Sequence, residues 1–168
     1  TLWCRKAPEP SLMFNDGGYK GYDAVAGYFK AVNAFTALNT ELVQSAYPKK
    51  LAGKSLDEIF GAGSLVADNL TTPVIELAAD GQTAKGLWAV MGGDINVTAA
   101  GEKAYHRWGR VAADFVKEDG AWKLWHLIFA VDIYCPTGGT WAVACPTYET
   151  KPEFAALASE LRAAWPPQ

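Results

Sequence analysis

Hydrophobic positions recur along this chain with two different periods, and the change between them marks out the elements. From Tyr22 to about Ser45, Val25, Tyr28, Phe29, Val32, Phe35, Leu38 and Leu42 fall at helical spacing, and Tyr47-Pro48 stops the run. This predicts one long amphipathic helix. Later runs are rich in Val, Leu, Ile and aromatic residues and read as strands. Leu65–Ala78 and Thr83–Met91 flank Asp80-Gly81, while Tyr105–Glu118 and Ala121–Tyr134 flank Asp119-Gly120. Asp-Gly between apolar runs predicts a tight hairpin turn, because both residues tolerate positive φ. In the first hairpin Glu76 should face Lys85, and Pro73, which has no N–H for a ladder, predicts an edge strand or a bulge. Gly92 to Lys103 reads as a loop between the hairpins. A small hairpin is predicted around Asn15-Asp16-Gly17-Gly18. Ser55 to Glu58 has capping-box spacing and predicts a short turn of helix through Ile59-Phe60; Thr150-x-x-Glu153 predicts a final helix to about Ala164.

A small hairpin, a long helix and four meandering strands make an α+β layout, with helix on one side of a curved antiparallel sheet. At 168 residues, 50% of them hydrophobic, the chain can bury a core without staples, and a single domain is expected over residues 1–168. Its core would span 1–147, with 148–168 as a C-terminal helical extension. The net charge of −3 comes from 15 basic and 18 acidic residues with no basic cluster, so nucleic acid is not an expected partner. Cys4, Cys135 and Cys145 are odd in number and lack Cys-x-x-Cys spacing; free thiols are expected, with Cys135–Cys145 pairing the alternative in an oxidising compartment. No apolar run is long enough for a transmembrane helix and no signal peptide is evident, so a soluble cytoplasmic protein is the simplest expectation. The chain begins at Thr1 rather than Met, which leaves room for an upstream segment removed or left out.

Register in the long hairpin follows from its turn. If Glu118 faces Ala121, then His126 lies opposite Ala113, Leu124 opposite Phe115 and Asp132 opposite Arg107. One face then carries Trp122, Leu124, His126, Ile128, Ala130 and Asp132 beside Tyr105, Arg107, Gly109, Val111, Ala113 and Phe115. The small residues Gly109, Ala113 and Ala130 leave space around His126. The opposite face, with Trp108, Trp125, Leu127, Phe129 and Val131, is too apolar for a monomer and predicts a homodimer formed through it. A bulge would exchange the two faces.

Several segments carry a family resemblance: Asn15-Asp16-Gly17-Gly18-Tyr19-Lys20-Gly21, Leu70-Thr71-Thr72-Pro73-Val74-Ile75-Glu76, Thr83-Ala84-Lys85-Gly86, and Asp114 to Leu127 with its Asp-Gly-Ala-Trp-Lys turn. Over roughly Leu2 to Trp141 the chain resembles the SnoaL-like branch of the nuclear transport factor 2-like superfamily. The resemblance implies a cone-shaped pocket between a curved sheet and its helices, the setting of ketosteroid isomerases, polyketide cyclases and dehydratases, and also of members without catalysis. Members normally have one or two helices before the first hairpin, often contributing a catalytic tyrosine or aspartate, whereas only Thr1 to Pro10 precede it here. Where related dehydratases place a histidine before the Leu-Thr-Thr-Pro-like strand, this chain has Asp68, so their paired-histidine site does not carry over.

His126 is the leading candidate for proton transfer, because imidazole titrates near neutrality. The competing reading is a satisfied core histidine. Asp68, Asp16 or Tyr19 would have to reach it from another strand, since Asp132 lies about 20 Å along its own. Asp132 with Arg107 reads as an ion pair at the pocket mouth. Asn15, Tyr19 and Tyr105 are candidates to polarise a carbonyl or hydroxyl, and Trp88, Tyr105 and Trp122 to stack on a flat ligand. His106 should face the other way. No cofactor or metal is expected, because no phosphate-cradling glycine motif is present and the two histidines point apart. The favoured function is cofactor-free acid–base chemistry, as in an isomerase, dehydratase or cyclase, on a hydrophobic cyclic or aromatic substrate. The alternative is a noncatalytic ligand-binding or dimerisation module of the same fold.

Overall fold

The computed structural model describes residues 2–15, 17–98 and 101–139. Its elements are β1 (Ser11–Phe14), β2 (Gly17–Lys20), α1 (Tyr22–Ala46), β3 (Ser64–Leu77), β4 (Thr83–Thr98), β5 (Gly101–Glu118) and β6 (Ala121–Pro136). The strands form one sheet in the order β2-β1-β6-β5-β4-β3, antiparallel except where β1 runs parallel to β6. Gly21, at φ 89°, turns the chain from β2 into α1, a conformation that costs glycine little. At the other end the Tyr47 amide makes the last helical bond, to Val43, and Pro48 has no N–H to continue it. No helix among the described residues is long and apolar enough to cross a membrane.

The predicted helix and strands form, and two expectations are corrected. Gly92 to Lys103 is not a loop: β4 runs on to Thr98 and β5 starts at Gly101. Gly92 marks a close approach of strands rather than a turn, since a Cβ there would collide with the Ala67 carbonyl. Around Ser55, Glu58 accepts from the Ser55 amide (2.7 Å) and hydroxyl (2.9 Å), yet the segment forms only turns. The predicted C-terminal helix lies outside the described residues.

β6 holds the main surprise. Register follows the predicted pairs from Glu118–Ala121 to Phe115–Leu124, then shifts so that Asp114 faces His126, and shifts again so that Gly109 faces Val131 while Trp108 faces Ile133. Trp125 and Asp132 are thus the extra residues of two bulges. Trp125 spends its indole N–H on the Pro8 carbonyl at 2.7 Å, a contact that no pattern within the hairpin reveals. Past the first bulge the faces exchange. Leu127, Phe129 and Val131 pair with buried Ala113, Val111 and Gly109, whereas His126, Ile128 and Ala130 turn to the outer face.

The core gathers where α1 crosses the β1–β6 junction. Trp3, Leu12 and Val25 are buried there, with Phe14, Tyr19, Tyr22, Tyr28, Leu124 and Leu127 packed around them. The Pro73 expectation holds: β3 is the edge strand, and its register shifts between Thr71 and Val74. Glu76 does face Lys85. Cys4 and Cys135 are buried free thiols, while Cys145 lies outside the described residues.

Residues preceding β1 are tied down by one carboxylate at the β5–β6 turn. Glu118 accepts from the backbone amides of Arg5 (3.0 Å), Lys6 (2.7 Å) and Ala7 (3.1 Å), which hold it below the usual glutamate range, the Arg5 amide contributing most. A carboxylate with a depressed folded pKa adds stability above its unfolded value of about 4.3, and that contribution is lost as pH falls through the lower folded value. Glu118→Gln should therefore lower Tm at pH 7 and flatten the Tm decline below about pH 4.3. Thermal unfolding followed across pH 2 to 8 checks this, and an unchanged pH profile would exclude the latch.

Candidate functional site

A polar row crosses four strands on the helix-covered face. Asp68 of β3 pairs with Gly92 of β4, Gly92 with Arg107 of β5, and Arg107 with Tyr134 of β6. Because Gly92 carries no side chain, the Arg107 guanidinium reaches across it and donates twice to Asp68, Nε to Oδ1 at 3.1 Å and Nη2 to Oδ2 at 2.6 Å. A Cβ on Gly92 would stand 2.6 Å from Asp68 Oδ1. The fork-to-fork geometry is the strong form of this ion pair. Arg107 is only 8% exposed and lies 5.3 Å from the centre of the Phe129 ring.

The next row adds a second carboxylate. Asp94 of β4, also 8% exposed, faces Val66 and Tyr105 and accepts a 2.9 Å hydrogen bond from the Tyr134 hydroxyl. The Tyr134 ring stacks on Tyr105 with centroids 4.7 Å apart and planes 8° from parallel. Two adjacent rows thus hold Asp68, Asp94, Arg107, Tyr105 and Tyr134. Farther along, the same face turns apolar: Val90 and Val111 are buried, and Trp88 meets Phe115 edge-on at 6.3 Å. One end of the face is charged and hydrogen-bonding, and the rest is greasy. That combination suits a hydrophobic molecule carrying one polar group.

His126 is not there. The bulge at Trp125 puts it on the outer face, with its Nδ1 2.9 Å from Ser11 Oγ and its ring stacked on Trp125 at 4.7 Å. Its cross-strand neighbours Ser11 and Asp114 continue through Lys85 to Glu76, a second polar row on the opposite side of the sheet. The expected Asp132–Arg107 pair is also corrected: Asp132 binds Arg110 at the exposed rim, while Arg107 binds Asp68. The second bulge is the cause, because Asp132 itself is the extra residue. Asn15 donates to the Val131 carbonyl at 2.5 Å and accepts from the Val131 amide at 2.8 Å, so its carboxamide extends the sheet. Tyr19 packs 4.8 Å from Tyr28 beside the core. Trp122 is 42% exposed at the hairpin tip, with the Lys117 ammonium 5.8 Å from its ring centre. Asp16 lies outside the described residues. His106 is exposed, on the side of β5 away from Arg107.

The structure therefore gathers Asp68, Arg107 and Tyr105 from the candidates, with Trp88 farther along the same face. It adds Asp94 and Tyr134, which the sequence reading missed. Asp94 was legible: alternation continued through Gly92 sets it on the face of Val90. Tyr134 was also within reach, because two bulges cancel and restore its parity.

Residues 11–128 match the family model of the SnoaL-like domain. No curated protein matches the chain. Among solved structures, a type 2 hexachlorocyclohexane dehydrochlorinase (LinA) is 13% identical with a TM-score of 0.50, over 83% of this chain and 74% of its own. A LinA-type3 dehydrochlorinase from Novosphingobium barchaimii is 13% identical, with a TM-score of 0.48 over 83% of this chain and 75% of its own. A nuclear transport factor 2-like superfamily protein from Salmonella enterica serovar Typhimurium is 13% identical, with a TM-score of 0.44 over 78% of this chain and 73% of its own. At such identities the likeness is one of fold.

Removing the Asp68 charge strands a nearly buried guanidinium. Asp68→Asn should cost about 3 kcal/mol in urea unfolding, while Asp68→Leu with Arg107→Met should recover most of that loss. Equal destabilisation by the single and double variants would mean that the pair contributes only packing.

Proposed function

Because the chain belongs to the SnoaL-like domain family and has the nuclear transport factor 2-like α+β cone fold, we propose that its helix-covered face binds a small hydrophobic cyclic or aromatic molecule. The hydroxyl or carbonyl group of that molecule would meet Asp68, Asp94, Tyr105 and Tyr134, with Trp88, Val90 and Val111 along its body. The carrying observation is the Asp68–Arg107 pair, which with Asp94, Tyr105 and Tyr134 makes the polar end of a face that is apolar along Trp88, Val90 and Val111. Buried charge of this kind is costly unless paired, and such investments cluster at binding and catalytic sites.

Cofactor-free acid–base catalysis of the isomerase, dehydratase or cyclase kind is the second reading, and Asp68 favours it. Its side chain keeps 24% exposure, so a ligand can reach it, and a carboxyl group is one of the side chains that serve as a general base. Both of its oxygens already accept from Arg107, which is why binding comes first. His126, on the outer face, has no part in either reading.

A homodimer through the outer face belongs to the same proposal. Leu87, Met91, Ile95 and Ile128 are each at least 39% exposed there. The row from Ser11 through His126, Asp114 and Lys85 to Glu76 would give the patch a polar rim.

Mass spectrometry of small molecules that co-purify with the protein identifies the ligand, and the Asp68→Asn variant then separates the readings. Turnover lost at least about a hundredfold with binding retained assigns Asp68 as the base, whereas absence of turnover in the unmodified protein assigns binding alone. Met91→Glu should weaken self-association at least about tenfold in sedimentation, and a monomeric unmodified protein would exclude the dimer.

A further inference from the structure

Strand β3 invites unwanted pairing by its own sequence. It is 14 residues long, has a strand partner on one side only among the described residues, and is exposed everywhere past Ser64. Its apolar side chains lie on both faces. Val66, Leu70, Ile75 and Leu77 point to the helix-covered side, Leu65 and Val74 to the outer one, and each is at least 53% exposed. Such an edge is a template for another strand. Charge protects it little, because the only charged residues of β3 are Asp68, engaged by Arg107, and Glu76, which faces Lys85.

We propose that the Thr72-Pro73 step is the guard that keeps this edge from pairing with β3 of a second copy. A second copy is the relevant partner because antiparallel edge pairing is self-complementary, so one strand supplies both halves. The ladder to β4 runs from Ser64 opposite Asn96 to Thr71 opposite Ala89, and resumes only at Val74 opposite Leu87. Thr72 and Pro73 thus stand against Trp88 alone, which bends the strand and divides the edge into 64–71 and 74–77. Pro73 offers no N–H to an incoming strand. Thr72 sits at φ 52°, where a β-branched residue is rarely found, and its exposure means that packing does not hold it there. Strain kept on an open edge points to a use for the break. Proline, a bulge and short edge segments each blunt pairing, and all three coincide here. The guard stands apart from the ligand and the outer-face dimer proposed above.

Removing the break tests it, in the full chain carrying Met91→Glu so that association through the outer face is weakened. Deleting Pro73 together with Thr72→Val keeps Thr71 opposite Ala89 and Val74 opposite Leu87 and sets residue 72 opposite Trp88, which leaves the strand unbroken. Sedimentation should then show self-association at least about tenfold tighter than with Met91→Glu alone. Adding Val74→Lys should return it to that baseline, because lysine on an edge opposes pairing. Unchanged association, or association that survives Val74→Lys, overturns the proposal. Should the deletion lose the helical circular dichroism of its parent, Pro73→Val decides instead: the restored N–H should tighten association in the same assay, and no tightening overturns the guard.

Discussion

Strand β6 can serve the core only by breaking its own period. Counted straight from the Asp119-Gly120 turn, its alternation would point His126, Ile128 and Ala130 at the helix and leave Leu127, Phe129 and Val131 in water. The extra residue at Trp125 reverses this and sets three large apolar side chains opposite Ala113, Val111 and Gly109, small or branched positions with room for them. The same residue secures the chain before β1 through its bond to Pro8, and β1 in turn pairs with β6 from His126 to Phe129. Core, first strand and N-terminal segment thus share one irregularity.

The second constraint is the missing side chain at Gly92. Arg107 sits on β5 and its counter-charge on the edge strand β3, with β4 between them, and the pair closes only because Gly92 puts no side chain in the way. This links β3, which has few other buried contacts, to the centre of the sheet. It also explains how a face packed with Val90, Val111 and Phe129 tolerates a guanidinium: the charge is desolvated but doubly hydrogen-bonded, which offsets much of the cost. Asp94, Tyr134 and Tyr105 extend the polar region by one row, so a ligand would meet a wall of donors and acceptors at one end and hydrocarbon along the rest.

The two faces of the sheet divide the polar residues between them. Inside, the Asp68 row buries Arg107 and leaves Asp68 open at the sheet edge. Outside, the row from Ser11 to Glu76 alternates hydroxyl, imidazole, carboxylate, ammonium and carboxylate across five strands, bounding the apolar patch of Leu87, Met91 and Ile128. His126 belongs to this second row. A lone histidine near small residues was a fair candidate for a pocket by alternation, but its face depended on a parity that a single inserted residue reverses.

Local chemistry alone determined the elements: the helical spacing from Val25 to Leu42, both Asp-Gly turns, the Glu76–Lys85 register and the edge position of the strand holding Pro73 are all decided within a few residues, and all stand. It also marked Asp68, Arg107, Tyr105 and Trp88 as worth watching. Only the tertiary structure decided which of these meet. Bulges arise where distant segments compete for the same backbone and side chains, as Pro8 and β1 do for β6, and such contacts leave no mark on the local pattern. Glycine misled in the same way, because Gly92 serves as a turn signal in one dimension and as a gap for Arg107 in three. What a residue faces is a property of its neighbours across the sheet, and those neighbours are chosen by packing rather than by sequence spacing.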